Sequence, residues 1–299
     1  MRNIVIDMSN ILWAARFAEF KGQNESEFST SLLMHCAVSH LISFNVKFQP
    51  DGILLAFDGR NGWRKDIYDA YKANRQKDMF YEEVNWVADT LYDFFMNHTN
   101  ITAIKVHKAE ADDVIYMATK MSPKTTIISS DTDFVQLLDD KTELYAQTLK
   151  TMRTSENPAY DLFIKCIRGD HTDNVMSAFP RVRETKLKEA WEDPSKIKLM
   201  NMFETNLPDG RKVGAAYELN KSLIDLTMSP PYIQDAIRNH IIEQVSVNKP
   251  NNQIGLIKKL GELHQPALAR SVSQSENFYN KRFVVLAEII VKEKNLMIG

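Results

Sequence analysis

Asp7, Asp58, Glu110 with Asp112 and Asp113, Asp131 with Asp133, and Asp170 with Asp173 are the residues of this chain whose types and spacing could do chemistry. Most stand just past a short apolar run. Asp7 follows Asn3-Ile4-Val5-Ile6, Asp58 follows Ile53-Leu54-Leu55-Ala56-Phe57, and Asp131 comes soon after Thr126-Ile127-Ile128-Ser129. Parallel strands end on one edge of a sheet, so carboxylates that follow several such strands meet in space. Their repulsion is costly unless a cation neutralises it, and ligands that are all oxygen favour hard Mg2+ or Mn2+. The pattern predicts metal-assisted phosphate chemistry. Each acid alone has an ordinary reading: Asp7 as a helix cap, Asp58-Gly59 as a turn, Glu110 to Asp113 as a complement to a helix dipole, Asp131 to Asp133 as a capping loop, Asp170 to Asp173 as a solvated turn. Capping does not require them all at strand ends, or paired at i, i+2 and i, i+3.

The elements that must position these acids follow from the hydrophobic pattern. Ile4–Asp7, Gly52–Phe57, Thr102–Val106, Thr125–Ser129 and Glu143–Ala146 read as strands. Helices are expected from Ile11 to about Phe20, capped by Ser9 or Asn10, and over Phe28–Phe48, Tyr81–Asn97, Ala111–Met121 and Asp133–Leu138, with a polar loop from Gly22 to Glu27. This alternation predicts an α/β fold with a mostly parallel central sheet flanked by helices. After about Thr154 the pattern turns helical, over Pro158–Ile167, Lys186–Trp191, Ile197–Phe203, Ala215–Leu226, Pro231–Val245, Ile254–Leu263 and Phe278–Val291. Two units are expected, an α/β unit over 1–154 and a helical one over 155–299.

With 299 residues, 44% of them hydrophobic, the chain can bury a substantial core as one large or two modest domains. The formal net charge of −2 names no partner, so charge distribution must do so. Cys36 and Cys166 lie in apolar surroundings without metal-ligand spacing, and the histidines show no zinc pattern, which fits a reducing compartment. Met1-Arg2-Asn3 runs into a strand, unlike a secretory leader, and no apolar stretch is long enough to span a bilayer. A monomer in the cytoplasm, without a membrane partner, is the expectation.

Six blocks carry a resemblance: Val5-Ile6-Asp7-Met8-Ser9-Asn10, Phe57-Asp58-Gly59, Tyr71-Lys72-Ala73-Asn74-Arg75, Glu110-Ala111-Asp112-Asp113, Ser129-Ser130-Asp131-Thr132-Asp133-Phe134 and Gly169-Asp170-His171-Thr172-Asp173-Asn174. In order and approximate spacing the chain resembles the flap endonuclease/5′-nuclease family, which includes the 5′-exonuclease domain of bacterial DNA polymerase I. Within it the bacteriophage (T-even-type) ribonuclease H group looks most similar. The blocks span roughly residues 3–174, and beyond residue 180 the likeness is general. The resemblance implies a PIN-like/5′-nuclease fold with a helical DNA-binding domain and two Mg2+ ions, for which Mn2+ can substitute. The first ion would use Asp7, Asp58, Asp112 or Asp113, and Asp131, with Glu110 close by. The second would use Asp133, Asp170 and Asp173, partly through water. Two such ions activate a water and stabilise the leaving oxygen. A phage-encoded protein would work in the host-cell cytoplasm.

Arg60, Arg64, Lys65, Lys72, Arg75 and Lys77 crowd one stretch, interleaved with Trp63, Tyr68 and Tyr71. The plain reading is a solvated face with aromatics packed inward. Just after a suspected ligand, the cations could instead hold phosphate oxygens and an aromatic could stack on an unpaired base. The resemblance places this segment, near 60–100, at a helical arch or clamp over the 5′ strand, with Lys72 and Arg75 orienting the scissile phosphate and Tyr71 stacking. Together with Asp7, Asp58 and Asp131 they form the expected catalytic set.

The chain departs from the family after Asn174. Where many members have a glycine-rich hairpin whose amides grip duplex phosphates, often with potassium, it has Val175 to Lys186, without Gly-x-Gly and with Pro180, which removes a donor. Arg181, Arg183 and Lys186 could replace the amides with side-chain contacts, or belong to an ordinary charged surface. The apolar end at Leu296-Met297-Ile298 reads as core or tail, or as a docking element for a sliding clamp or single-strand-binding protein. Three functions compete: a structure-specific 5′ nuclease acting on 5′ flaps, nicks or RNA–DNA hybrids to remove primers in lagging-strand replication, a PIN-type ribonuclease, and a non-catalytic DNA-junction-binding replication factor. The basic segment and the Gly-Asp-x-x-Asp-Asn block disfavour the second. The full carboxylate set disfavours the third, since a pure binder gains nothing from repelling phosphate.

Overall fold

The computed structural model describes residues 1–19, 28–247, 249, 252–286 and 289. Strands Asn3–Asp7 (β1), Gly52–Phe57 (β2), Thr102–Lys105 (β3), Thr125–Ile128 (β4), Thr142–Ala146 (β5) and Thr151–Arg153 (β6) form one sheet in the order β3-β2-β1-β4-β5-β6. β1 to β5 run parallel and β6 returns antiparallel along β5. The helices are Met8–Glu19 (α1), Thr30–Phe48 (α2), Arg64–Ile67 (α3), Tyr81–His98 (α4), Ala111–Met121 (α5), Pro158–Arg168 (α6), Glu184–Glu192 (α7), Ile197–Phe203 (α8), Val213–Ile224 (α9), Pro231–Ser246 (α10), Gln253–Glu262 (α11), Pro266–Ser271 (α12) and Glu276–Tyr279 (α13). The expected α/β fold with a mostly parallel, helix-flanked sheet is what the chain adopts.

Strand alternation sorts the core into two layers. Ile4, Ile6, Ile53 and Leu55 point to the face covered by α1, α2 and α4, while Val5, Leu54, Ile104 and Ile127 point to the face covered by α5 and α10. The chain runs β1–β2–β3 to one side, then crosses back to place β4 and β5 on the other. β1 thus stands at a topological switch point, where the strand ends open a crevice.

Three expectations need correction. Asp7, rather than Ser9 or Asn10, caps α1: its carboxylate accepts the Asn10 N–H at 3.0 Å, so the helix begins directly at Met8. The expected helix over Phe278–Val291 is not continuous: Phe278 and Tyr279 close α13, the described residues 280–286 are not helical and pass beside β1 and β3, and Ile289 is helical again. Arg282 bridges Ile53, and the buried Asn3 side chain accepts the Val284 N–H at 3.0 Å while donating to Val284 O at 2.8 Å and Ser122 Oγ at 2.7 Å. Helical periodicity could not reveal that this backbone has partners waiting on β1. The expected 155–299 unit also divides in its packing. α6 to α9 build a small core of their own around Phe163, Ile167, Leu187, Met202 and Val213, whereas Leu226, Ile237 and Phe283 join one layer of the sheet, and Leu256 and Phe278 the other.

The edge of β3 is closed by a side chain of α10. The Gln244 amide donates to Ala103 O at 2.6 Å and accepts the Ala103 N–H at 3.1 Å, as a neighbouring strand would. No described helix is long and apolar enough to cross a membrane. The expected loop at Gly22–Glu27 and the apolar end at Leu296–Ile298 lie outside the described residues. Replacing Asn3 by alanine strips the Val284 backbone of both partners in a buried setting, and we expect it to lower unfolding free energy by about 2–4 kcal/mol in urea titrations.

Candidate metal centre and nucleic-acid interface

The carboxylates assemble around the carboxyl ends of β1, β2, β3 and β4. A cleft of about 530 Å³ is lined by Asp7, Asp58, Asp112, Asp131, Asp133, Asp170 and Asp173, with Lys72, Arg75 and Lys165 among them and Ser9, Asn10 and Trp13 on the α1 side. Each acid is held by its own local reason. Asp7, at the end of a wholly buried strand, accepts from Asn10 N and from Ser129 Oγ at 2.9 Å. Asp58 accepts the Ala111 N–H at 2.8 Å and pairs with the Ser9 hydroxyl, tying β2 to the start of α5. Gly59 makes that approach possible, because a Cβ there would sit 1.9 Å from Val106 O. Asp131 accepts the Asp133 N–H at 2.9 Å as the chain enters the 3-10 turn Asp133–Leu137.

Asp170 and Asp173 come from the loop after α6. Gly169 has φ +74°, and a Cβ on it would fall 2.3 Å from Val175 O, so the loop closes only with glycine there. Asp170 and Val175 then exchange backbone hydrogen bonds at 2.8 and 2.9 Å. Asp170 accepts from Thr172 N at 2.8 Å and Oγ1 at 2.6 Å. The Tyr71–Arg75 segment docks onto this loop: Lys72 N donates to Asp173 O at 2.9 Å, and Asn174 Nδ2 donates to Ala70 O at 2.7 Å. Lys72 and Asn174 both hold left-handed backbone, φ 58° and 60°, a cost of about 1–2 kcal/mol for a non-glycine residue.

Crowding shows in the proton affinities. Burial, with Asp58 and Asp131 nearby, raises Asp7 to about 7 even though Asn10 and Ser129 oppose it. Burial and Asp131 raise Asp112 well above the carboxylate range, and burial raises Asp131 against the pull of Lys165. Two acids are held down instead. Glu110 is lowered despite burial because Lys72 at 2.7 Å and Arg64 at 3.0 Å face it. Asp170 is lowered, against burial, by Thr172 and by Lys165 at 3.1 Å. Lys165 also pairs with Asp133, so an ammonium stands between two of the acids.

The structure corrects five assignments. Asp113 is wholly buried and outside the cleft; it accepts from Trp63 Nε1 at 3.0 Å, from Arg64 at 3.0 and 3.2 Å, and from Glu110 N at 2.9 Å. It is the counter-ion of Arg64 and closes the cap of α5 with Glu110, rather than a ligand. Arg64, 1% exposed, cannot reach nucleic acid. Tyr71, 4% exposed, cannot stack on a base; its hydroxyl sits between Glu110 Oε2 at 3.1 Å and Asp173 Oδ2 at 3.0 Å. Glu110 lies behind the cleft in this ionic network, not on its lining. The arch expected near 60–100 is, over the described residues, a short α3, turns docked on the 170–175 loop, and α4, whose Val84, Val87, Leu91 and Phe94 belong to the core.

The remaining cations are placed as follows. Arg75 pairs with Asp173 at the cleft, with more than half its side chain open to solvent. Arg60, Lys65 and Lys77 are exposed, Arg60 near Asp89 and Lys77 near Glu82. Arg181, Arg183 and Lys186 are exposed beyond the 170–175 loop, and none of the three pairs with a carboxylate among the described residues. Sequence reasoning missed Lys165 and Trp13. The available signal was a single lysine inside the apolar run Leu162–Ile167, and a tryptophan six residues past the first acid.

Among the described residues, no group of three His, Cys, Asp or Glu side chains is arranged so as to hold a metal ion. The donor set nevertheless fits a hard cation: it is all carboxylate oxygen, gathered on one cleft, with three members forced toward protonation by burial and one another.

Three stability measurements follow. Asp113→Ala removes one of the two carboxylates that pair with the buried Arg64, leaving only Glu110 among the described residues, and should cost about 3–5 kcal/mol in chemical denaturation. Asp112→Asn, which removes a repelled charge, should be neutral or stabilising in EDTA. The third concerns pH. Because Asp7 is raised in the folded state, the native protein holds a proton that the unfolded chain releases, so this group's contribution is present at low pH and fades as pH rises from about 4 to about 7. Asp7→Asn in EDTA should therefore gain thermal stability over the parent at pH 8, and that gain should shrink toward pH 4.

With the geometry in place, three comparisons bear on it. The family model described as 5'-3' exonuclease, N-terminal resolvase-like domain, matches residues 2–162. Flap endonuclease Xni of Colwellia psychrerythraea is 31% identical over 212 residues, covering 62% of this chain and 72% of the relative. DNA polymerase I of Streptococcus pneumoniae is 27% identical over 199 residues, 58% of this chain but 22% of the polymerase, so the chain spans about a fifth of that relative's length. Among solved structures, the bacteriophage T5 flap endonuclease, crystallised with DNA and metal ions, superposes with a TM-score of 0.62 at 16% identity over 83% of this chain and 100% of its own, a likeness of fold. The chain therefore belongs to the 5′–3′ exonuclease and flap endonuclease family of nucleases.

Proposed function

We propose that this protein is a structure-specific 5′ nuclease that hydrolyses phosphodiesters at 5′ flaps, nicks or RNA–DNA hybrids and removes RNA primers with adjoining DNA during lagging-strand replication. The observation that carries this reading is the single cleft in which seven carboxylates converge beside Lys72, Arg75 and Lys165. Asp7, Asp58, Asp112 and Asp131 would hold one Mg2+, and Asp133, Asp170 and Asp173 a second. Bound there, the pair would supply Lewis-acid stabilisation of the phosphoryl oxygens and lower the pKa of a water.

The chain's own residues do the rest. Lys72 is drawn onto Glu110 and toward Asp173, and Glu110 and Asp173 keep it charged in spite of its burial. From there its ammonium can swing to a non-bridging phosphate oxygen, while Arg75 offers a second donor from the same wall. Trp13, half-buried on the opposite side and stacked against Tyr81, presents the ring that Tyr71 cannot. Arg181, Arg183 and Lys186 would follow the duplex phosphates by side chain, without a glycine-rich amide grip. Service at a replication fork, in the cytoplasm and beside a sliding clamp or single-strand-binding protein, belongs to the same reading.

A 5′-labelled flap incubated with Mg2+ or with EDTA tests it. Short 5′ products should appear only with metal, and Lys72→Ala should slow their release by about 100-fold or more while changing flap affinity by less than about threefold. Equal losses in rate and affinity would reduce Lys72 to an electrostatic tether. Binding without turnover in the parent protein would favour a junction-binding factor instead.

A further inference from the structure

The last carbonyls of a helix have no partner inside it. At the end of α9 two of them are taken by side chains from beside the cleft. Arg64 Nε donates to Leu223 O at 2.8 Å, and Gln136 Nε2 donates to Ile224 O at 3.1 Å. Arg64 braces Glu110, and Gln136 belongs to the 3-10 turn that begins at Asp133. One turn earlier lies Asn220, 3% exposed. Its Nδ2 donates to Cys166 O at 2.8 Å and to Met176 O at 2.7 Å. Cys166 is near the end of α6, just before the acidic loop, and Met176 follows that loop's closing pair, Asp170 with Val175. Both hydrogens of one buried amide are thus committed to the two ends of the segment that displays Asp170 and Asp173.

From this geometry we infer that Asn220 is a positioning residue for the second group of carboxylates. It clamps the ends of the 169–176 loop onto α9, the same helix whose terminus is fixed by Arg64 and Gln136, and so sets where Asp170 and Asp173 stand relative to Asp131 and Asp133. Other bonds hold other parts of the loop. The Asp170–Val175 bridge joins the loop to itself, Ser177 and Ala178 bond Ile167 O of α6, and Lys72, Asn74 and Asn174 tie its middle to the 70–75 segment, whereas the Asn220 amide ties its two ends to α9. A shift of about 1 Å at such a site can cost about 100-fold in rate. The inference rests on reading the cleft as a metal centre, and it adds a residue that touches neither metal nor nucleic acid.

The test uses the full chain with Asn220→Ala and two readouts other than cleavage. In amide hydrogen exchange, Asp170, Asp173 and Val175 should exchange about tenfold faster or more, the equivalent of one or two lost hydrogen bonds, while the β1 and β4 amides keep their rates. In Mn2+ calorimetry, one ion should weaken by about 10–100-fold and the other by less than about twofold. Unchanged exchange in the loop, or equal weakening of both ions with faster exchange throughout the sheet, would overturn the inference. If Asn220→Ala does not fold, Asn220→Ser, which keeps one donor, must show the same split in smaller measure or the inference fails. Should the parent protein bind no Mn2+, the metal reading falls, and loop exchange alone decides for or against Asn220.

Discussion

Like charge forced together is the constraint on which the rest of this structure depends. Two unit charges 4 Å apart interact by about 4 kcal/mol at an effective dielectric of 20, and a whole domain is stable by only about 5–15 kcal/mol. Seven carboxylates on one cleft would be untenable without compensation. The protein supplies it in layers. Asn10, Ala111 and Asp133 aim backbone N–H groups at Asp7, Asp58 and Asp131, and Lys165 stands between Asp133 and Asp170. Behind them Arg64 is buried for the sake of Glu110 and Asp113. What these devices leave uncompensated appears as raised proton affinity at Asp7, Asp112 and Asp131, the side where divalent charge would do most.

The second theme is how two bodies share one site. The sheet contributes acids from strand ends, and the helical body of α6 to α9 contributes Asp170 and Asp173 from a loop. Their joint is a small apolar cluster, Tyr71, Cys166, Val175, Leu223 and Ile224, ringed by directional bonds. Tyr71 sits in that cluster with its hydroxyl between an acid of each body, Glu110 and Asp173. Apolar burial holds the bodies together, but hydrogen bonds fix their register, because burial has no direction. The left-handed Lys72 and Asn174, which meet across this joint, carry conformational cost at the seam where it serves placement.

Membership of the 5′–3′ exonuclease family rests on the α/β half, the part that carries most of the acids. The remainder is built differently from an appended domain. After α9 the chain goes back to the sheet, covers its second face with α10, closes the β3 edge through Gln244 and runs under β1 beside Asn3. The segment after Asn174 presents exposed Arg181, Arg183 and Lys186 where glycine amides would be expected.

The sequence by itself determined the strands, their mostly parallel arrangement and the gathering of acids at one edge, because period-2 burial and the position of a residue after a strand are local properties. It determined the membership of Asp7, Asp58 and Asp131 in one cleft for the same reason, while Asp133, Asp170 and Asp173 were expected there from the resemblance of their blocks. Only the tertiary structure decided between neighbours of identical type. Asp112 faces the cleft and Asp113 faces Arg64, since successive residues on a helix diverge by about 100° and the strand of origin cannot say which points inward. Only it buried Arg64 and Tyr71 while leaving Arg75 open, brought Lys165 of α6 to Asp133 as well as to nearby Asp170, and laid residues 280–286 beside β1 where helix was expected, because Leu223, Asp133 and Asn3 lie far from these residues in sequence.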